Sequence, residues 1–321
     1  MNKLVSWSEE DEAVAATNSD ATECKRGAVE LGYWSDPYVR LFARPRAERR
    51  APEIHRGYYA RVRAVEVFIH QFLERCDSKC QVLNLGCGFD TLFWRLRDVT
   101  QAVGNFIELD FPTVTAKKCQ IIKRNKQLLE KITNEDGEVA IRAGGADLHA
   151  DGYHLCGVDL RDEPGVLRAL TAAGARPDAP TLVLAECVLV YLREDAANRL
   201  LRLLAQQFPK QVLVVYEQCN LDDKFGEVMI RNLVARGCGE VGARHMDAPG
   251  AAAGRLLAAG YDTARGWDMD TVWRSLGEEE RARVEALEPL DEGELLQQLH
   301  AHYALTVASR GDLFADIDLN A

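Results

Sequence analysis

Short apolar runs alternate with longer amphipathic stretches along most of this chain. The apolar runs are typical of strands, and the stretches between them are long enough for crossover helices; the runs span 81–85, 103–109, 153–158, 181–185 and 212–216. Such alternation predicts an α/β fold with a doubly wound, mainly parallel sheet. In an open sheet of this kind ligands bind at the carboxyl ends of the strands, so we expect the functional residues there.

The segments that flank these runs have other patterns. Apolar residues recur at three- and four-residue intervals over 57–73, which predicts an amphipathic helix before the first strand. Near the C-terminus, 261–267 and 302–308 alternate apolar and polar residues and predict a last, partly antiparallel pair of strands. The segment 134–152 is rich in glycine, alanine and aspartate, and we expect a disordered or variable insertion there.

These patterns divide the chain into three parts. The first residues are acidic and small, which predicts a flexible arm over 1–20, with the first helix starting at Thr22. A helical cap follows over 21–75. A Rossmann-like core over 76–321 is expected to form one compact unit with the cap, because no repeat or linker indicates a second independent domain.

Composition and charge narrow the possible classes. Hydrophobic residues make up 47% and charged residues 28%, as in folded globular proteins. The net charge of -11 opposes the cationic surface that nucleic-acid binding requires, so we expect no nucleic-acid partner. The apolar runs are too short to span a membrane and the N-terminus lacks the features of a secretory signal. We therefore expect a monomer in the cytoplasm, and in the nucleus as a second location.

Cysteine and arginine are distributed in ways that carry information. The nine cysteines are scattered without the paired short spacings of a zinc site, so we expect reduced thiols and no metal. Six arginines fall between Arg40 and Arg56, against the acidic average of the chain. They predict either a solvated helix face or a landing site for an acidic partner.

A glycine turn ends the first predicted strand. The apolar run continues into Gly86-Cys87-Gly88, after which Asp90 and Thr91 are placed to cap the next helix. Glycine lets the backbone turn sharply and lie against a bulky ligand, although many strand-to-helix turns use it for structural reasons alone. The turn lacks the third glycine of the dinucleotide fingerprint, because Thr91 occupies that position.

Three further strand ends carry acidic residues. Asp110 follows the glycine turn by about twenty residues, where a carboxylate accepts hydrogen bonds from ribose hydroxyls. Glu108 would share its face, but Asp110 lies nearer the strand end and is favoured. Asp159 and Glu186 end two later strands at the same edge of the sheet. Together these groups suit a nucleoside with a cationic centre and predict an adenosine-containing cofactor.

These residues, with others along the chain, resemble the leucine carboxyl methyltransferase family. The resemblance covers nearly the whole chain and rests on the segments 24–26, 32–38, 51–54, 56–62, 84–86, 90–91, 110–112, 159–162, 186–191, 216–218, 225–226, 229–233, 290–292 and 302–303. Two local departures are Cys87, where alanine is common, and a short glycine-rich loop at 143–152. Neither departure alters the charged positions, so the cofactor expectation stands.

The resemblance implies a class I methyltransferase fold with an N-terminal helical cap. It implies S-adenosylmethionine as cofactor, with S-adenosylhomocysteine as product, and the C-terminal leucine carboxylate of the type 2A protein phosphatase catalytic subunit as acceptor. The family's cofactor contacts fall here on Lys25, Arg61, Gly86, Asp110, Asp159, Leu160 and Glu186. The chemistry agrees, since Arg61 can bind a cofactor carboxylate bidentately and Lys25 can hold either that group or the acceptor.

Methyl transfer to a carboxylate needs no general base, because an α-carboxyl group has a pKa of about 3.3 to 3.7 and is already ionised. Catalysis is then expected to be alignment and exclusion of water, with Arg61 and Tyr191 as positioning residues. No Ser-His-Asp or Cys-His set is evident, and histidines such as His300 are expected to be structural or exposed. The rival functions are a related methyltransferase acting on a small molecule or a modified tRNA base, and a non-catalytic scaffold.

Overall fold

Within the residues that the computed structural model describes (8–44, 50–76, 79–133, 138–239, 248–291 and 293–319), nine strands form one sheet. The strands are β1 (Cys80–Leu85), β2 (Val103–Asp110), β3 (Ala140–Arg142), β4 (Asp147–Ala150), β5 (Tyr153–Gly157), β6 (Thr181–Glu186), β7 (Gln211–Gln218), β8 (Thr263–Asp268) and β9 (Tyr303–Arg310). Their order across the sheet is β3-β4-β5-β2-β1-β6-β7-β9-β8.

Helices precede and connect these strands. They are α1 (Glu9–Glu30), α2 (Val39–Phe42), α3 (Pro52–Glu74), α4 (Leu92–Val99), α5 (Pro112–Arg124), α6 (Lys126–Leu129), α7 (Glu163–Ala172), α8 (Glu194–Gln207), α9 (Lys224–Ala235), α10 (Pro249–Ala258), α11 (Met269–Ser275), α12 (Glu278–Glu285) and α13 (Gly293–Ala301). A short 3-10 turn, Leu189–Tyr191, follows β6. The helix predicted over 57–73 is thus confirmed within the longer α3.

The predicted sheet is confirmed in its direction as well as its strands. β5, β2, β1, β6 and β7 are parallel neighbours, whereas β9 runs antiparallel between β7 and β8. The chain moves outward from β1 on one side through β2 and on the other through β6, so the sheet order reverses at β1. This reversal places the glycine turn after β1 at the crevice where such sheets bind ligands.

Both faces of the sheet are covered, which is why the central strands are mostly apolar and show no regular polar alternation. In β1, Val82 belongs to a core that includes Phe68 of α3, whereas Leu83 belongs to a second core that includes Leu200 of α8. Successive side chains of a strand point to opposite faces, so a strand buried on both sides has no polar alternation.

The first helix begins at Glu9 and not at Thr22, which corrects the predicted flexible arm for residues 9–20. Ser8 and Asp11 form a capping box: the Asp11 amide donates to Ser8 Oγ at 3.1 Å, and the Ser8 amide donates to Asp11 Oδ2 at 3.1 Å. Arg161 adds an ion pair to Asp11 at 2.7 Å. The sequence here is small and polar because this half of the helix lies over the cavity described below and not over the apolar core.

The segment predicted to be a disordered insertion also contains regular structure. β3 and β4 form an antiparallel extension that pairs with β5 at one edge of the sheet. The Gly157 amide donates to Asp147 Oδ1 at 2.8 Å, which fixes the start of β4 against the end of β5. Strands of three and four residues are too short to show an alternating pattern, so with the glycines between them they resemble a loop in sequence. Residues 134–137 lie outside the described residues.

Burial separates the members of the arginine-rich segment. Arg56 is buried, and its Nη2 donates to the carbonyl oxygens of Glu288 at 2.8 Å and Glu285 at 3.3 Å. Arg56 therefore joins α3 to the end of α12 and does not form part of a surface patch. Arg46 lies outside the described residues.

Most of the cysteines lie inside the protein. Seven of the cysteines are buried, among them Cys87 beside the glycine turn and Cys119 on α5. In the part of the chain that the structure describes, no helix combines the length and the apolar character needed to cross a bilayer.

A fully buried ion pair lies beneath the glycine turn. Lys118 Nζ lies 2.6 Å from Glu108 Oε2 and donates to the Asp90 carbonyl oxygen at 2.9 Å. The Tyr153 hydroxyl donates to the same Glu108 oxygen at 2.7 Å. Glu108 is therefore a structural group below the site, in agreement with the preference for Asp110 as the ligand-facing acid.

We expect Lys118→Met to lower the free energy of unfolding by about 3 to 5 kcal/mol, because it leaves the Glu108 carboxylate buried without its counter-charge. The double variant Lys118→Met/Glu108→Gln should regain much of that loss. Urea denaturation followed by circular dichroism measures both. The control is Lys126→Met, which removes an exposed ion pair and should change the value by no more than about 0.5 kcal/mol. Equal effects of the two lysine variants would contradict this role.

Candidate active site

A cavity of about 550 Å³ opens at the carboxyl ends of β1, β2, β5 and β6. Every residue predicted to contact the cofactor lines it, as does Tyr191: Lys25, Arg61, Gly86, Asp110, Asp159, Leu160, Glu186 and Tyr191. The structure therefore brings together residues that are up to 166 positions apart in the sequence (191 − 25). The individual roles of these residues stay predictions.

The two glycines of the glycine turn, Gly86 and Gly88, lie where a side chain would not fit. Gly86 and Gly88 have φ values of 56° and 48°, which L-residues rarely adopt. A Cβ at Gly86 would lie 2.7 Å from Val188 Cγ2, and one at Gly88 would lie 2.5 Å from Asn18 Oδ1. The positive φ values and the close packing by Val188 and Asn18 explain why both positions of this cavity-lining turn are glycine.

Asp110 is fixed by backbone donors of the same turn. Its Oδ2 accepts from the Gly88 amide at 2.7 Å, and its Oδ1 accepts from the Phe111 amide at 2.7 Å. Burial raises the pKa of Asp110 to about 6, although these two amide donors oppose the shift. The carboxylate is thus oriented in advance and titrates within an accessible pH range.

Arg61 of α3 and Glu186 at the end of β6 form an ion pair inside the cavity. Arg61 Nε lies 2.5 Å from Glu186 Oε2, and the guanidinium lies 4.8 Å from the centre of the Tyr216 ring and 5.7 Å from that of Tyr58. Burial lowers and the Glu186 charge raises the pKa of Arg61, with a net rise, so Arg61 is a cation. Two aromatic faces and one carboxylate hold this cation at the cavity wall.

Lys25 of α1 pairs with Asp90, the acid that follows the glycine turn. Lys25 Nζ lies 2.6 Å from Asp90 Oδ2, and Asp90 Oδ1 accepts from the amide of Leu92, the first residue of α4, at 2.6 Å. Thr91 is the N-cap residue but, against the prediction, its side chain does not cap the helix, because its hydroxyl donates to Asp36 Oδ2. Burial alone would raise the pKa of Asp90, but the positive charges of Lys25 and Arg95 lower the pKa by more, so the carboxylate is ionised.

Asp159 and Leu160 form the part of the wall after β5. Asp159 accepts from the Arg161 guanidinium at 2.8 Å, and the same Arg161 Nη2 donates to Asp11 Oδ1 at 2.7 Å. Leu160 is buried and adds apolar surface. Arg161 therefore links the end of β5 to the first turn of α1.

The sequence analysis predicts Lys25 of α1 at the site but not the part of the wall that residues 9–20 of α1 form. Asn18 Oδ1 accepts from the Phe89 amide at 2.7 Å, and the neighbouring Thr17 contacts the Tyr191 hydroxyl. The small and polar residues at the start of α1 resemble a flexible arm. The sequence signal for the helix start is the capping pair of Ser8 and Asp11. α1 therefore covers the cavity and contacts both the glycine turn and the turn after β6.

Two histidines near the C-terminus, His300 and His302, have different surroundings. His302 is buried and its Nε2 lies 2.9 Å from Asp223 Oδ1, a structural contact as expected. His300 lines the cavity wall and is buried, and its Nε2 has no hydrogen-bond partner. Burial lowers the pKa of His300 to about 4, so the ring is neutral. Among the described residues, no group of three or more His, Cys, Asp or Glu side chains could hold a metal ion.

The donor set suits S-adenosylmethionine. Its methionine carboxylate requires a cation, available at Arg61 or Lys25, and its ammonium group requires an anion, available at Glu186. Asp110 offers acceptor oxygens for ribose hydroxyls, and Leu160 offers apolar surface for a base. The cavity thus has groups complementary to the carboxylate, the ammonium group and the ribose of that molecule.

Comparisons with known proteins give a consistent result. The model of the leucine carboxyl methyltransferase family matches residues 13–205. Leucine carboxyl methyltransferase 1 of Bos taurus is 40% identical over 302 residues, covering 94% of this chain and 91% of that protein. tRNA wybutosine-synthesizing protein 4 of Homo sapiens is 38% identical over 309 residues, covering 94% of this chain but 44% of that protein.

A solved structure supports the fold assignment. A Thermobifida fusca protein, assigned by its name to the methyltransferases, superposes with a TM-score of 0.50 at 12% identity, covering 89% of this chain and 94% of that chain. At this identity the likeness concerns the fold alone.

We expect binding of S-adenosylhomocysteine to weaken as the pH falls from 8 to 5. The ligand favours the ionised Asp110, so binding releases a proton below pH 6 and the Kd should rise about tenfold for each unit below that value. Isothermal titration calorimetry at a series of pH values measures the effect. Asp110→Asn should bind weakly with a flatter profile, and the exposed control Asp178→Asn should keep the profile of the unaltered protein. Equal affinities at pH 5 and pH 8 would contradict this assignment.

Proposed function

This chain belongs to the leucine carboxyl methyltransferase family and is an S-adenosylmethionine-dependent methyltransferase of the class I fold, and from that premise we propose its acceptor. The acceptor is the C-terminal leucine α-carboxylate of the type 2A protein phosphatase catalytic subunit, which is converted to a methyl ester. The reaction takes place in the cytoplasm or nucleus.

The observation that carries this proposal is the extent of the match to a leucine carboxyl methyltransferase. The similarity covers 94% of this chain and 91% of the Bos taurus protein, and the family match over residues 13–205 spans every residue predicted to contact the cofactor. The tRNA wybutosine-synthesizing relative is matched over 44% of its length. The net charge of -11 also disfavours a tRNA acceptor, because binding its phosphates requires positive surface.

The charges of the cavity fit an anionic acceptor. Lys25 and Arg61 are cations at the wall, each held by a single carboxylate, Asp90 or Glu186. A carboxylate that enters the cavity competes with those acids for the same donors. Because an α-carboxylate is ionised at neutral pH, no residue has to remove a proton from it.

The protein's contribution is therefore geometric. S-adenosylmethionine, when bound, supplies an electrophilic methyl group on a positively charged sulfur. Arg61 and Lys25 hold anionic groups, and α1 covers the cavity and keeps water away from the reacting centre. Burial raises the pKa of Tyr191, so its phenol is protonated and can donate a hydrogen bond. Its place in the turn after Glu186 suits a donor on the acceptor side.

We expect Tyr191→Phe to lower kcat by about five- to thirtyfold, the effect of losing one hydrogen bond of about 1 to 2 kcal/mol. The Kd of S-adenosylhomocysteine should stay within about twofold, because the charged cofactor contacts are unchanged. Initial rates and calorimetry measure these quantities. Tyr261→Phe is the matched control, since Tyr261 is also buried and bonded through its hydroxyl but lies in the core under α10. An equal loss of cofactor affinity and turnover would contradict the acceptor-side role of Tyr191.

The test of the proposed function uses methyl-labelled S-adenosylmethionine and the type 2A phosphatase, either intact or lacking its terminal leucine. We expect base-labile label on the intact form and none on the shortened form, because the ester forms on the leucine carboxylate. Arg61→Met is the enzyme control and should transfer little label.

Two outcomes would change the assignment. Label on both phosphatase forms would place the ester on another carboxylate. An absence of label from an enzyme that binds S-adenosylhomocysteine would favour a small-molecule or tRNA acceptor, which the same assay with those substrates would show.

A further inference from the structure

Glu217 has no assigned role, although the segment 216–218 is part of the family resemblance. It is a buried acid near the end of β7, with 5% of its surface exposed. Its neighbours Tyr216 and Gln218 line the cavity, whereas Glu217 does not. Its side chain therefore lies behind the wall and acts through other residues.

The Glu217 carboxylate accepts hydrogen bonds from three consecutive backbone amides. Its Oε1 accepts from Val188 at 2.8 Å and from Leu189 at 2.6 Å, and its Oε2 accepts from Val190 at 3.3 Å. These amides begin the 3-10 turn Leu189–Tyr191, where the donors have no partner within the turn. One side chain thus satisfies the whole start of this turn.

The turn begins with an unusual backbone conformation. Cys187 has φ 55°, a left-handed value that costs free energy in a residue other than glycine. Its amide donates to the Tyr216 carbonyl oxygen at 2.7 Å, next to Glu217 in β7. Such strain persists when the surroundings hold it from several sides, and here β7 provides both the carbonyl and the carboxylate.

The residues of this turn face the cavity at two points. The Val188 side chain packs against the bare backbone of Gly86, since a Cβ there would lie 2.7 Å from Val188 Cγ2. Tyr191 ends the turn and lines the cavity. Any shift in the turn would therefore displace the support of the glycine turn and the phenol of Tyr191 together.

Burying the Glu217 carboxylate costs free energy, so its contacts have to offset that cost. Burial raises the pKa of Glu217 to about 7, with the three amides and Arg61 opposing the shift. A neutral apolar residue would avoid that cost but would leave three buried amides without acceptors, at about 1 to 3 kcal/mol each. The arrangement therefore requires a side chain with two acceptor oxygens at this position.

We infer that Glu217 is a positioning residue of the methyl transfer, which holds the turn 187–191 so that Tyr191 faces the acceptor before any ligand binds. The inference rests on the proposed function only for the choice of acceptor in its kinetic test.

The test compares Glu217→Gln with the matched control Glu288→Gln. Glu288 is also buried and accepts from Tyr33 and His55, but it lies outside the cavity lining. In Glu217→Gln, one oxygen cannot accept from all three amides and the NH2 group faces at least one backbone donor, so we expect the amides of 188–190 to exchange hydrogen at least about tenfold faster. We expect kcat to fall about ten- to a hundredfold, with the Kd of S-adenosylhomocysteine within about threefold. Glu288→Gln should keep kcat and the exchange of this turn, whatever its thermal midpoint.

Glu217→Asp keeps the carboxylate and should recover part of both the protection and the rate. A Glu217→Gln enzyme with normal exchange in the turn and normal kcat would overturn the inference, leaving a purely stabilising group. The exchange measurement needs no acceptor, so it decides the matter even when the phosphatase is not methylated.

Should Glu217→Gln fail to fold, the unaltered protein provides the test. Its amides at 188–190 should exchange slowly without ligand. Fast exchange that slows only after S-adenosylhomocysteine is added would overturn the inference, because the turn would then be ordered by the ligand.

Discussion

Several carboxylates meet at one edge of this sheet, and the site exists because each has a partner that offsets their mutual repulsion. Like charges in a poorly solvated cleft disfavour ionisation, and parallel strands place their ends side by side. Asp90 pairs with Lys25, Glu186 pairs with Arg61, and Asp110 accepts from backbone amides. The two cations come from α1 and α3, outside the sheet. Pairing charges at the site therefore also ties these helices to the strand ends, in addition to the apolar packing of α3 on the sheet.

This pairing determines how a charged ligand can enter. Arg61 and Glu186 are both mostly buried, so neither can lose its partner without a large cost in free energy. A ligand with one positive and one negative group can replace both partners at once, binding Arg61 with its carboxylate and Glu186 with its ammonium group. The number of opposite-charge contacts is then conserved. An amino-acid group fits this exchange better than a simple anion, which would leave Glu186 unpaired.

The sequence predicted the parts of this molecule whose pattern is local or chemical. The parallel strands, the antiparallel β9 and the cavity lining at Gly86 and Asp110 follow from apolar runs and from residues at strand ends. The start of α1 was missed because its small, polar residues form no apolar stripe, and β3 and β4 were missed because strands of three and four residues show no alternating pattern. The part played by Glu217 was also not predictable, since three amide donors to one carboxylate are a property of the folded turn.

When a reaction needs alignment instead of proton transfer, its rate depends on how well the backbone fixes the reacting groups. No residue of the cavity has to match a pKa to the working pH, so rate depends on how firmly the walls hold the reacting groups. Buried charged groups behind the walls fix the backbone: Lys118 donates to the Asp90 carbonyl oxygen under the glycine turn, and Glu217 accepts from the amides after Glu186. Both act on main-chain groups, where rotamer changes cannot relax the geometry. In this fold the cost of burying a lysine and two acids away from the ligand is offset by a site whose shape is set before the ligand binds.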